Sequence, residues 1–484
     1  MPALVWPLVS PRTANLALCA PRQSLYQPLR TATVLPLGYA PMMRDFITKL
    51  SFSQVLRWGV LLLLPAAVLG SVAAWPGLRT LSAFRVLYVA LGLGTAAWIL
   101  YHRRLSFKLH VTPFLLFLAF WAAWTFVSLI WAEDKAAGIR YAIFLTMMAS
   151  LTAGTMLAVN SVKTLRAALL LLLMVFGASL GIALLEILTD FRLPTSMLVG
   201  KPARYQWAVT SIFHNQNDFA TYIALWLPFL LAMPFVARRV SVVLPAVVCA
   251  FLSAICLLYT GSRTNLLALV LVALAMLAVL ALRRGTSSKR WQWIMGVALL
   301  FAVACFLFLG TSGELPLMRL PWLGVQHWRF DTLEAEIDEG SGSGGTRIRL
   351  IEGGVRISLD SHLLGVGPGN AEYHLRQIPG LERVYNLHNW WLEVLVNGGT
   401  LVFVGYLAFY AALLWGLFRV ARDARDGLTA LAATSLFAAL VGYILGSLSP
   451  SSAIHFTPMW IHFGLSLAVT NLHRAREAEG GPVG

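Results

Sequence analysis

Residues 264–282 read TNLLALVLVALAMLAVLAL. At 1.5 Å per residue a helix of this length spans about 28 Å, close to the roughly 30 Å hydrocarbon core of a bilayer. The stretch is apolar on every face. It therefore fits neither the one-sided stripe of a helix on a soluble domain nor the alternating pattern of a membrane β-barrel strand. Runs of the same kind recur from residue 56 to residue 472 of the 484-residue chain. Hydrophobic residues make up 58% of the sequence and charged residues 12%, against roughly 25% charged in soluble domains. The chain reads as an all-α polytopic membrane protein, and a soluble fold and a barrel are both excluded.

Windows of about 19 residues place twelve transmembrane spans near 56–74, 82–100, 111–131, 139–159, 167–188, 217–237, 240–259, 264–282, 291–310, 396–418, 427–448 and 453–472. The net charge of +16 comes from 37 Lys+Arg against 21 Asp+Glu. These charges form short clusters between apolar runs, which argues for bilayer anchors and against a nucleic-acid partner. Arg103, Arg104 and Lys108; Lys163 and Arg166; Arg238 and Arg239; Arg283, Arg284, Lys289 and Arg290; and Arg419, Arg422 and Arg425 all fall in alternate gaps. By the positive-inside rule those gaps, both termini, Arg474 and Arg476 are cytoplasmic. The intervening segments, near 75–81, 132–138, 189–216, 260–263, 311–395 and 449–452, then face outward.

The expected organisation is an N-terminal extension (1–42), spans one to nine (43–310), a helical periplasmic domain between spans nine and ten (311–395), spans ten to twelve (396–472) and a cytoplasmic tail (473–484). The extension has seven prolines, no acid and no signal-peptide layout, so it reads as disordered, with Met42 or Met43 an alternative start. The 311–395 segment carries 11 of the 21 acids and a Gly/Ser stretch from Gly340 to Gly345, so the chemistry is sought there. Three of the four cysteines, Cys249, Cys256 and Cys305, lie in apolar runs, as Cys19 does not, and neither a disulfide nor a cysteine metal site is expected.

An arginine at a helix centre in a bilayer costs about 2.5–3.5 kcal/mol, so arginines on the outward face need a reason. Arg263, in YTGSRT, precedes the apolar run quoted above, and Arg140 opens the fourth span in AGIRYA. Either residue is an interfacial anchor that snorkels to headgroups or a ligand for an anion. Arg347 lies in TRIRLIEGGVRISL. On a wheel of about 100° per residue it sits in the middle of the arc formed by Ile348, Leu350, Ile351, Val355, Ile357 and Leu359, while Arg349, Glu352 and Arg356 form a solvated face. A guanidinium turned inward requires a carboxylate or an anionic ligand.

YNLHNWWLEVLVNGG, residues 385–399, leads into the tenth span. His388 is either an interfacial residue or a general base, its ordinary pKa of roughly 6.5 suiting proton removal from a hydroxyl. Beside it, Asn389 is a supporting residue and Trp390 and Trp391 read as an aromatic belt, at least in part. Glu393 is a partner for an arginine or an orienter of His388. Upstream, GVGPGN at 365–370 is a turn, or a backbone cradle for phosphate. FHNQND at 213–218 offers His214 and Asn217 as supporting groups, or with Asn215 an N-cap. The acids Asp331, Glu334, Glu336, Asp338 and Glu339 are spaced as a solvated helix face, so neither a metal site nor a cofactor is expected.

GSRT at 261–264, an arginine followed by an amphipathic helix and SHLLGVGPGN ending at 370, and LHNWWLEVLVNGG at 387–399 together resemble the bacterial O-antigen ligases and the wider ligase/polymerase superfamily. The resemblance covers roughly residues 56–472, with His362 in place of a frequent proline. It implies a GT-C-like, lipid-carrier glycosyltransferase of the inner membrane that works at the periplasmic face. The donor would be O-antigen polysaccharide on undecaprenyl diphosphate and the acceptor lipid A–core. By motif position Arg263 and Arg347 would hold the diphosphate, with Arg140 a lesser candidate, and His388 would be the base in an inverting, metal-independent transfer. The alternatives are an O-antigen polymerase or a protein O-oligosaccharyltransferase using the same donor, and, outside enzymes, a lipid-linked oligosaccharide flippase or transporter. A transporter should carry charge near the midplane and show paired halves, and neither is visible.

Overall fold

The computed structural model describes residues 52–75, 78–102, 109–189, 191–201, 208–237, 239–283, 342–381, 386–450 and 452–479. The N-terminal extension, the ninth span at 291–310 and the acids at 331–339 lie outside the described residues. The described chain is helical apart from one short hairpin, Ala74–Trp75 with Leu78–Ser82. We number the helices α1 Phe52–Leu69, α2 Ala83–His102, α3 Thr112–Val127, α4 Lys135–Ala158, α5 Val162–Leu188, α6 Gln216–Val236, α7 Val240–Thr260, α8 Arg263–Leu282, α9 Gly342–Asp360, α10 Ala371–Leu375, α11 Trp390–Asp423, α12 Gly427–Gly446 and α13 Thr457–Ala478. Among the described residues eight helices are long and apolar enough to cross a membrane: α2, α3 with its 3-10 extension to Ile130, α4, α5, α7, α8, α11 and α12. The protein is an all-α multi-pass membrane protein.

The core is aromatic. Trp226, Trp390, Trp460, Tyr222, Tyr406 and Phe463 are each less than 2% exposed, and they come from α6, α11 and α13. Trp121 of α3 lies 6.1 Å from Trp390 and 5.9 Å from Trp460, and the Trp390 Nε1 donates to the Tyr406 hydroxyl at 2.9 Å. Trp390 is therefore a core residue and not part of an interfacial belt; Trp391, partly buried, donates its Nε1 to the Ile444 carbonyl. An indole N–H in so apolar a setting needs such a partner. The helix α13 is buried on nearly every face from Thr457 to Val469, as expected of a helix enclosed by others.

The loops sort into two sets. At one end Asn370 exchanges hydrogen bonds with the Asp134 backbone, Val209 donates to the Tyr259 carbonyl, and Ser262 meets Ser449. At the other, His110 bonds Asn471, Arg474 reaches the His110 carbonyl and Arg283 reaches the Ala424 carbonyl. Arg283 and Arg474, two of the basic residues that the charge reading assigns to one side, both fall in the second set.

A second, smaller core lies at the first of these ends. Leu350 and Ile357 of α9, Leu375 of α10 and Leu392 and Val396 of α11 bury together. Gly354 makes the packing of α9 on α11 close, because a Cβ there would stand 2.6 Å from a Leu392 methyl. The apolar arc predicted for α9 divides in two. Leu350 and Ile357 face the protein, whereas Ile348, Ile351, Val355 and Leu359 form an outward stripe, 37–61% exposed. Half-buried Arg347 sits at the seam between the two halves, not within a buried face.

Candidate functional site

The helix α8 begins at Gly261–Ser262, where Gly261 takes φ +69° to end α7 and reverse the chain. Ser262 and the fully buried Asn265 fasten this corner. The Ser262 hydroxyl lies 2.8 Å from that of Ser449, and the Asn265 Nδ2 donates to Ser262 at 2.9 Å and to Thr221 of α6 at 3.1 Å. The corner holds Arg263 and Thr264 at the helix start. From α9 the Arg347 Nη1 donates to the Thr264 hydroxyl at 3.2 Å, which joins the start of α9 to the turn of α8 that carries Arg263.

His388 reaches the same place from the start of α11. The Asn386 Oδ1 accepts from the His388 backbone N–H at 3.0 Å, and the Asn389 side chain then caps α11 by accepting from the Leu392 N–H. Wedged between these two polar turns, His388 takes φ +47°, a left-handed conformation that costs a non-glycine residue about 1–2 kcal/mol. The ring hydrogen-bonds the Pro450 backbone, and the Arg347 charge is near enough to act on it. Proline has no N–H, so the bond to the Pro450 backbone is one that a ring N–H donates to the carbonyl. The Nδ1 is buried with no hydrogen-bond partner among the described residues. Burial holds the imidazole below its usual pKa, the nearby Arg347 charge adds to that, and the Pro450 carbonyl works the other way. These effects favour the neutral ring, in which the nitrogen that donates to Pro450 carries the proton and Nδ1 is an acceptor.

The remaining sequence candidates are distributed around this centre. Arg140 is exposed in the second turn of α4. Its neighbour Tyr141 turns inward instead, within hydrogen-bond reach of Glu393 and Asn397. Buried Glu393 thus interacts with Tyr141 and Glu372, an arrangement different from either one expected for it. His214 is exposed and its Nδ1 lies 2.7 Å from the Thr195 carbonyl, while Asn217 donates its backbone N–H to Asn215, the N-cap of α6. The FHNQND segment is accordingly a helix start. The glycines of GVGPGN serve close packing. Gly365, Gly367 and Gly369 all have positive φ, and a Cβ on Gly367 would stand 2.7 Å from the Ala132 Cβ. Their backbone lies against protein.

Sequence reasoning passed over Thr264, Asn265, Ser449, Pro450 and Tyr141. Only the GSRTN context marked the first two; the others come from segments whose composition is ordinary. Among the described residues no three His, Cys, Asp or Glu side chains group as metal ligands, and Cys249 and Cys256 are free thiols.

A multi-pass membrane protein with a polar centre built from three loops at one end of its helices is the class that the fold and site define. A family model described as O-Antigen ligase matches residues 248–407, the stretch that contains GSRT, α9 and His388. The teichuronic acid biosynthesis protein TuaE of Bacillus subtilis (strain 168) is 28% identical over 377 residues, 76% of this chain and 74% of that protein. No solved structure matches. Over residues 248–407 the chain is thus similar to the O-antigen ligases, a family whose members are glycosyltransferase-like enzymes.

Proposed function

We propose that this protein ligates O-antigen polysaccharide from undecaprenyl diphosphate to the lipid A–core oligosaccharide, at the periplasmic face of the inner membrane, by inversion and without a metal ion. The observation that carries this reading is the buried Nδ1 of His388, without a hydrogen-bond partner among the described residues, in a ring on which the Arg347 charge acts. An acceptor hydroxyl attacks the anomeric carbon from the face opposite the diphosphate. The bond from that carbon to the phosphate oxygen breaks, undecaprenyl diphosphate leaves, and the hydroxyl proton passes to Nδ1. Arg347, positioned through Thr264, and Arg263 on the same turn of α8 balance the charge that grows on the leaving diphosphate. Asn386 and Asn389 hold His388 in its strained conformation, and Pro450 orients the ring. Exposed Arg140 is the lesser candidate for holding the same anion.

Purified protein, lipid-linked O-antigen and lipid A–core should yield a product of higher mass than either substrate on a gel. A second reading is favoured by the relative named for teichuronic acid biosynthesis: polymerisation, in which the acceptor is another lipid-linked chain. Omitting lipid A–core separates the two. Longer lipid-linked chains formed without it would establish the polymerase and overturn the ligase.

A further inference from the structure

A concave site lies away from the His388 centre. A groove of about 700 Å³ runs between the segment after α3 and the C-terminal half of α9, with α10 as its other wall. That volume falls within the roughly 300–1,000 Å³ of small-molecule sites. From Arg347 to Arg356, which lines the groove, α9 advances nine residues, about 13.5 Å and half a turn around its axis. The groove is therefore separate from the His388 centre.

Its floor is aromatic. The Trp131 Nε1 donates to the Gly365 carbonyl at 2.9 Å and the Trp124 Nε1 to the Gly398 carbonyl at 3.0 Å, so both indoles are locked in orientation with their N–H groups already used. The rings meet edge to face at 6.0 Å, and Trp131 is 39% exposed. Around them stand Glu133, Asp360, His374 and Gln377. Arg356 lies 3.8 Å from Asp360, and Glu133 is close enough to His374 to oppose the effect of burial on that imidazole. Fixed indole faces with carboxylate, amide and imidazole groups at their edges suit a ligand that has apolar C–H faces and a rim of hydroxyls. Two carboxylates against one guanidinium suit a neutral ligand better than a diphosphate. Ile130, 77% exposed, adjoins Trp131, which sets the groove at the membrane boundary.

We propose that this groove is a carbohydrate subsite, occupied by the saccharide portion of a membrane-anchored substrate while its reacting end lies at His388. The identity of that saccharide rests on the function proposed above. The donor polysaccharide and the acceptor oligosaccharide share this chemistry, and the test separates them.

Full-length protein in lipid nanodiscs is titrated calorimetrically with three probes: bare undecaprenyl diphosphate, O-polysaccharide released from its lipid, and core oligosaccharide released from lipid A. Trp131→Ala should weaken binding of at least one saccharide about tenfold. Trp131→Phe, which keeps an aromatic face, should weaken it less. Gln377→Ala, at an exposed position, should weaken it in a protein of unchanged thermal stability. Binding of bare undecaprenyl diphosphate should be unaffected in all three variants. Loss confined to the polysaccharide identifies the donor chain, and loss confined to the core identifies the acceptor. Wild-type saccharide affinity in both Trp131→Ala and Gln377→Ala, or no saccharide binding by the wild type, overturns the subsite. Absence of transfer in the gel assay with saccharide binding intact would instead count against the proposed reaction.

Discussion

The Arg347 Nη1 donates to the Thr264 hydroxyl at 3.2 Å and so ties the amphipathic helix α9 to the first turn of α8. The two residues are 83 positions apart in the chain. Their contact places a guanidinium beside His388, which arrives on a third segment. The tie accounts for an arginine at the seam of an amphipathic helix, where neither its buried face nor its outward stripe calls for charge.

Arg347→Ala should abolish transfer, because it removes the cation at the centre and leaves Thr264 without its donor. Arg349→Ala, at an exposed position two residues on, should retain most activity. Gel ligation assays on both proteins, normalised to folded protein, check this, and the opposite ranking would remove Arg347 from the site.

His388→Ala should lower single-turnover transfer by roughly 10²–10⁴. Donor affinity should be close to wild type, since the base acts in the transition state whereas the arginines bind the diphosphate before chemistry begins. Measuring donor affinity and single-turnover rate on His388→Ala and Arg263→Ala separates the two roles. Near-normal turnover in a folded His388→Ala protein would refute the base assignment.

The pH profile carries a sign. A base works in its neutral form, so transfer should be full above the His388 pKa and fall as pH drops through it. Because burial and Arg347 both hold that pKa below the ordinary value of about 6.5, the acid limb should lie below pH 6.5. Arg347→Gln removes one of the two causes, so the His388 resonance followed by NMR should titrate at higher pH than in the wild type. A shift to lower pH would separate Arg347 from the ring.

Transfer should persist in EDTA without added divalent ions, as arginines supply the charge that a metal would otherwise provide. Activity lost to the chelator and restored by magnesium or manganese would contradict this and direct attention to Asp331, Glu334, Glu336, Asp338 and Glu339.

Gly399→Ala should destabilise the protein. Gly399 has φ +76° inside α11, where the helix breaks, and an added Cβ would run into the Leu364 carbonyl. A non-glycine residue there pays for both strain and clash, so the thermal midpoint in detergent should fall and activity with it.

Membrane class, helix positions and the alternation of the loops are written in the sequence itself, because each depends on a local quantity: an apolar length matched to the bilayer, or a charge placed in a gap. The GSRT, amphipathic-helix and LHNWWLE segments were legible for the related reason that polar residues beside an apolar run have few uses. What each residue in them does was not legible. Trp390 reads as interfacial and lies in the core, because Trp121, Trp460 and Tyr406 come from other helices to enclose it. Glu393 reads as an arginine's partner or an orienter of His388, and meets Tyr141, a neighbour supplied by α4. FHNQND reads as supporting groups or as an N-cap, and Asn215 caps α6. Pro450 and Ser449 carry no signal at all, yet they orient His388 and fasten α8. Periodicity and composition report which face of a segment avoids water. Which side chain stands opposite is decided by contacts between segments far apart in the chain, and only the packed tertiary structure contains them.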